Sequence, residues 1–190
     1  ELSYIHKSLL VPGVEIIPFS HYLPFLEDLS IDNGGTSGSL GIEKEPKVFT
    51  SNQTTIAPMI CYESIWGEML SVQCRKGAEA VFVITNDGWW KDTPGYKQHM
   101  SFSRLRAIES RRYVSRSANT GISCIINQRG DVLQQTKWWE PAVIKGQVQN
   151  NKELTFYSTY GDVMGRSFLF VSVLLLLLTF VRYFKKNFIK

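Results

Sequence analysis

Cysteine is scarce in this chain. Cys61, Cys74 and Cys124 are odd in number and none sits in C-x-x-C spacing. That excludes a disulfide framework and offers no zinc-ligand pattern. Histidine is as sparse: His6, His21 and His99 lack ligand spacing, so neither a metal nor a cofactor is expected. Glu1 to Leu10 is a mixed polar segment with no apolar h-region, so no signal peptide is expected in it. The chain opens on Glu1 rather than Met, from which we expect it to be a piece of a longer protein. No internal repeat and no Ser-His-Asp motif is found.

Net charge is nearly absent from the body. Of 21 Lys and Arg, Arg182, Lys185, Lys186 and Lys190 follow the last apolar run, and the rest balance the 17 Asp and Glu. Nucleic-acid binding wants a basic stripe on the folded domain, so that class is excluded. A neutral body with a basic tail suggests a membrane face.

The apolar residues gather at the other end. Ser167 to Val181 carries no charge and no helix breaker, and includes five consecutive leucines. Val163, Met164, Tyr183 and Phe184 extend the run toward the ~20 residues that a membrane span needs. Arg166 and Arg182 can snorkel at its ends. A transmembrane helix over 163–184 is expected, with 185–190 as a basic cytoplasmic tail and the preceding domain on the opposite, periplasmic face of a bacterial inner membrane.

Along the body, 28–54 is rich in Gly, Ser, Asn, Asp and Lys and reads as a loop. Thr55 to Cys61 reads as a strand leading into a helix over Glu63–Arg75. Ala80 to Thr85 is continuous and β-branched, as in a strand buried on both faces, and it stops at Asn86-Asp87-Gly88. His99 to Val114 reads as a helix with Phe102, Leu105 and Ile108 on one side. Gly121–Asn127 and Asp131–Thr136 flank a hairpin turn. Lys145–Gln149 is expected to add one more strand. Strands alternating with helices, then hairpins, predict an α/β sandwich.

One residue stands out chemically. Cys61 ends a strand and precedes a helix, where backbone N–H groups and the positive end of the helix dipole stabilise thiolate over thiol. The same N–H groups can hold the oxyanion of a tetrahedral intermediate. Cys74 and Cys124 read as core thiols.

The neighbours of Cys61 make the signal specific. Lys7-(x)3-Val11-Pro12-(x)2-Glu15 is followed by Cys61-Tyr62-Glu63 and then by Asn86-Asp87-Gly88-Trp89. Gln98-His99 with Arg104 to Glu109 comes next, and then Arg116-Ser117-Ala118-Asn119-Thr120-Gly121. Together these resemble the carbon–nitrogen hydrolase (nitrilase) superfamily. The resemblance implies a nitrilase-like α-β-β-α sandwich, incomplete at its N-terminal side and occupying residues 1–162. One branch of that superfamily has a membrane helix directly after the domain, and this chain resembles that branch, the apolipoprotein N-acyltransferases.

The resemblance implies roles. Cys61 matches the nucleophile, and Lys7 the lysine that supports the oxyanion and the thiolate. Glu15 matches a second glutamate that orients the lysine and the substrate. Tyr62 and Glu63 match the residues flanking the nucleophile, although Glu63 also suits the first turn of a helix by charge alone. Trp89 reads either as packing or as a substrate-facing lid. His99 and Glu109 are expected to be structural, bonding across the core. The superfamily's general-base glutamate precedes the lysine by a long stretch, and only Glu1 precedes Lys7 here. The base and several membrane helices are therefore expected upstream, and this chain alone is expected to be inactive. The implied reaction takes a fatty acyl group from a phospholipid donor to the N-terminal amine of an apolipoprotein acceptor. A membrane-anchored amidase or hydrolase, and a non-catalytic binding module, are the alternatives.

Overall fold

A computed structural model describes residues 4–12, 14–16, 22 and 42–188 of the chain. Phe49–Thr50 (β1) and Thr55–Ile60 (β2) pair antiparallel across a turn in which Ser51 Oγ accepts from the N–H groups of Gln53 and Thr54. The loop expected over 28–54 therefore yields a short edge strand at its end, because Ser51 and Thr54 close the chain back on itself. Residues 28–41 lie outside the described residues.

Two βαβ units follow. Gly67–Arg75 (α1) joins β2 to Ala80–Thr85 (β3), and Gly95–Ser110 (α2) joins β3 to Val114–Ala118 (β4). All three strands are parallel, with Ile60 opposite Ile84 and Thr85 opposite Ala118. Parallel strands need such crossovers. Cys124–Ile126 (β5) and Val132–Gln135 (β6) then form the expected hairpin and complete a sheet ordered β1 to β6. The carboxyl ends of β2, β3 and β4 line up at one edge, where open α/β sheets hold their ligands.

The core lies on one face of the sheet. Ala57, Met59, Val81, Val83 and Val114 meet Met69, Leu70 and Cys74 of α1 and Tyr96 and Ala107 of α2. The other face differs from expectation: Phe82 and Ile84 of β3 are 39% and 57% exposed. Side chains alternate along a strand, and among the described residues the helices cover only the side of Val81 and Val83. One helical and one sheet layer of the sandwich are thus seen.

Three further readings are corrected. The helix expected over 63–75 is divided: Cys61–Ile65 is a 3-10 turn, Trp66 is extended, and α1 begins at Gly67. In α2 the buried stripe is Tyr96, His99, Ser103, Arg106, Ala107 and Ser110, whereas Leu105 and Ile108 are 41% and 51% exposed. The polar stripe is turned inward because β3 and β4 supply its partners. Lys145–Gln149 forms no strand: only Ile144 and Val148 nearby are half-buried, so no alternating face is available to a sheet.

A short helix not anticipated from sequence, Phe156–Tyr160 (α3), is capped by Thr155, whose Oγ1 accepts from Ser158 N–H at 3.0 Å. Val163–Phe188 (α4) leaves the domain as a single helix. Its segment Val163–Lys186 is long and apolar enough to cross a membrane: 24 residues rise ~36 Å, against a hydrocarbon thickness of about 30 Å. Its side chains from Met164 to Phe184 are exposed all round the helix.

Candidate active site

The site is built where β2 stops. Cys61 directly follows β2 and adopts a left-handed backbone, φ +52°. That conformation is uncommon outside glycine, and it lifts the residue out of the strand direction at the start of the 3-10 turn. The first N–H groups of such a turn have no partner within it. Cys61 is half-buried, whereas Cys74 and Cys124 are buried in the core. Burial raises both core thiols, Cys124 to about 11, which makes them inert as nucleophiles.

Lys7 and Glu15 meet in space. Lys7 Nζ donates to both carboxylate oxygens of Glu15, at 2.8 and 2.6 Å, and Glu15 also accepts from the N–H of Val11 at 2.8 Å. The ammonium is nearly buried, so this pair is little screened. Glu15 shares a cavity of about 240 Å³ with Cys61, Tyr62, Trp89, Trp90 and His99. Val11, Val14, Ile65 and Asn86 complete its wall, which is largely apolar. Trp89, left open between packing and lid, thus lines the cavity.

Glu63 does not line that cavity. It is fully buried, and its carboxylate accepts from the N–H groups of Ser8 (2.5 Å), Leu9 (3.4 Å) and Ile60 (2.6 Å). It therefore ties the Lys7 segment to the end of the Cys61 strand. Burial pushes its carboxyl above the usual range, and the three N–H groups and Lys7 offset this only in part.

The family model for carbon-nitrogen hydrolases matches residues 6–153. The chain belongs to the carbon-nitrogen hydrolase family. It is similar to the apolipoprotein N-acyltransferase of Chlorobaculum tepidum, 37% identical over 180 residues that make up 93% of this chain and 34% of that protein. It is also similar to the enzyme of that name from Geobacter metallireducens, 34% identical over 83% of this chain and 29% of that protein. The chain spans about a third of the length of these curated relatives. A mutant amidase from Nesterenkonia AN1, of the nitrilase superfamily, shares the fold with a TM-score of 0.51 at 17% identity, over 70% of this chain and 50% of that one.

Behind Cys61 this carbon-nitrogen hydrolase chain buries a polar cluster. Asp87, from the loop after β3, takes His99 Nδ1 on one oxygen at 2.8 Å and Arg116 Nη2 on the other at 2.8 Å. Burial works to raise the Asp87 carboxyl, but the bond from His99 and the Arg116 charge outweigh it and hold the carboxyl below its usual range. His99 is thus a bonded residue of the interior, as expected. Glu109 instead pairs with Arg106, one turn back on its own helix, at 2.9 Å. Sequence reasoning placed Asp87 and Arg116 in motifs without giving either a part in the site. The available signal was a carboxylate two residues past the end of one strand and an arginine on the strand that the topology places beside it.

Proposed function

We propose that this chain carries the nucleophile of a membrane-bound N-acyltransferase. The reading rests above all on a half-buried cysteine in an apolar cleft of a carbon-nitrogen hydrolase, followed directly by a helix fit to cross a membrane. The naming of its relatives supports the same class.

In this reading the Cys61 thiolate attacks the ester carbonyl of a phospholipid. The tetrahedral oxyanion is stabilised by Lys7 and by backbone N–H groups at the start of the 3-10 turn. The carbon–oxygen bond breaks, the proton given up by the Cys61 thiol goes to the leaving alkoxide of the lysophospholipid, and the acyl chain remains as a thioester on Cys61. The α-amine of an apolipoprotein's N-terminal diacylglyceryl-cysteine then attacks the thioester. The carbon–sulfur bond breaks, the proton of the amine returns to the departing Cys61 sulfur, and the amide is released with the thiol restored. Lys7 and Glu15 satisfy each other's charge, so neither is assigned the role of proton acceptor. Glu15 orients Lys7, Glu63 fixes the two segments together, and Tyr62 and Trp89 contact the acyl chain. The positive-inside rule puts Arg182, Lys185 and Lys186 in the cytoplasm and the cleft on the periplasmic side of the inner membrane.

The test is the product. The full-length protein, given a phospholipid with a labelled acyl chain and a diacylglyceryl-cysteine peptide, is expected to yield the N-acylated peptide and lysophospholipid. Release of labelled free fatty acid with no acylated peptide would replace this reading with a hydrolase that lets water attack the same thioester.

A further inference from the structure

The left-handed backbone of Cys61 is uncommon for a residue with a Cβ and is favoured where its surroundings hold it. Two side chains grip its carbonyl oxygen. Ser64 Oγ donates to it at 2.8 Å, and His99 Nε2 lies 3.2 Å from it and 3.1 Å from Ser64 Oγ. On the far side of the ring, Nδ1 faces Asp87 Oδ1 at 2.8 Å. The ring thus lies between a carboxylate and a carbonyl, both of which only accept. Arg116 Nη2 also lies 3.2 Å from Nδ1, so this end of the ring is held by the Asp87–Arg116 pair, and the Cys61 carbonyl takes its bond from Nε2–H.

His99 itself cannot swing away. It is buried, as are Ser64 and Asp87. Arg116, also buried, fixes the second oxygen of Asp87 at 2.8 Å and reaches Ser103 Oγ, one turn along α2, at 3.2 Å. Thr85 Oγ1 adds a bond to Asp87 Oδ1 at 3.2 Å. Gly121 packs directly on this carboxylate: a Cβ there would meet Asp87 Oδ2 at 2.1 Å. A rigid chain therefore runs from β4 through Asp87 and the imidazole to the main chain of Cys61.

We propose that His99 is a positioning residue for the nucleophile: oriented by Asp87, it clamps the Cys61 carbonyl together with Ser64 and so holds Cys61 in its left-handed conformation. A second effect follows from the peptide it grips. The carbonyl of Cys61 belongs to the same amide as the N–H of Tyr62. A bond accepted by that oxygen polarises the amide and strengthens its N–H as a donor. That N–H lies at the free start of the 3-10 turn, where a developing oxyanion would be received. This inference rests on reading Cys61 as the nucleophile, and on no particular acyl donor or acceptor.

The experiment compares His99→Gln with His99→Asn in the full-length protein. The glutamine amide reaches the position of Nε2 and can still donate to the Cys61 carbonyl. The asparagine amide reaches only the position of Nδ1 and keeps the partner Asp87 alone. Cys61 alkylation by iodoacetamide is read by peptide mass spectrometry, next to turnover, with folding checked by thermal unfolding. His99→Asn is expected to slow alkylation and kcat by about tenfold, the worth of one such hydrogen bond, with KM unchanged. His99→Gln is expected to remain within about threefold of wild type. A folded His99→Asn that alkylates and turns over like wild type, or a His99→Gln no better than His99→Asn, overturns the clamp. If His99→Asn does not fold, Ser64→Ala carries the test: slower alkylation supports the clamp and an unchanged rate overturns it. Wild-type protein that is alkylated at Cys61 yet forms no acylated product defeats the proposed function and leaves the clamp to be judged on alkylation alone.

Discussion

Two helices of this chain break the usual rule of surface helices in opposite ways. α2 buries polar and charged residues, among them His99, Ser103 and Arg106, and leaves Leu105 and Ile108 in the open. Among its described side chains α4 buries none, and it shows leucine, valine and phenylalanine all round its axis. The difference lies in what surrounds each. α2 faces the ends of β3 and β4, where Asp87 and Arg116 wait as partners, and buried charge is tolerated when paired. Arg106 likewise donates to the Ile65 carbonyl at 2.5 Å. Beyond the Arg166–Glu68 ion pair that ties its first turn to α1, the described side chains of α4 are exposed and mostly apolar, so a hydrocarbon solvent is what suits it. In the proposed function, polar burial in one helix supports the site, and apolar exposure in the other would tie that site to a membrane.

The comparison is broken most severely by removing a buried partner. Arg116→Ala leaves the Asp87 carboxylate with half its support in a buried site, and a loss of about 3–5 kcal/mol is expected in denaturant unfolding. On α4 the matching insult is a charge at mid-span. Leu176→Arg is expected to weaken membrane insertion by about 2.5–3.5 kcal/mol, read as the fraction remaining in membranes after alkaline extraction.

Crowding the cluster is expected to do less. Gly121→Ala sets a Cβ against Asp87, which His99 and Arg116 prevent from yielding. Overpacking of that kind costs about 1–3 kcal/mol, measurable as a lowered Tm.

Acid separates the two regions as well. Asp87 in the folded chain ionises below its ordinary range. Between that value and the unfolded value of about 3.9, the unfolded chain binds more protons, so stability falls as pH drops through this window. Unfolding of Asp87→Asn followed against pH is expected to show a shallower acid limb than wild type, while Leu176→Arg leaves the limb unchanged. The smallest effect sharpens the contrast: Leu105→Lys on the open side of α2 is expected to shift stability by less than ~0.5 kcal/mol.

Much of this contrast could be read from the letters alone. The strands at Thr55–Ile60 and Ala80–Thr85, the hairpin around Gly130 and the membrane-length run were legible because composition and turn residues decide them locally. α2 was misread because Phe102, Leu105 and Ile108 form an apolar stripe by spacing, and the partners that reverse its orientation lie on other elements. β3 reads as doubly buried because Phe82 and Ile84 are apolar, and only the placement of the helices shows which face is covered. α3 escaped notice because a single capped turn of Phe-Tyr-Ser-Thr-Tyr has no periodicity to detect. At the candidate site, motif wording alone singles out Cys61, Lys7 and Glu15; the structure pairs Lys7 with Glu15 and sets Glu15 and Cys61 on one cavity, which Lys7 does not line. The left-handed turn at Cys61 and its grip by His99 were not legible, since backbone conformation at one non-glycine residue has no letter of its own.

The account's central claim is that Cys61, alone of the three thiols, takes the acyl chain. Incubation of the full-length protein with labelled phospholipid and no amine acceptor, followed by peptide mass spectrometry, tests it most directly. The account predicts one acyl mass on the Cys61 peptide, removed by hydroxylamine and absent from Cys61→Ser. An acyl label on Cys74 or Cys124, a label that survives in Cys61→Ser, or no label in a preparation that acylates peptide, would contradict it.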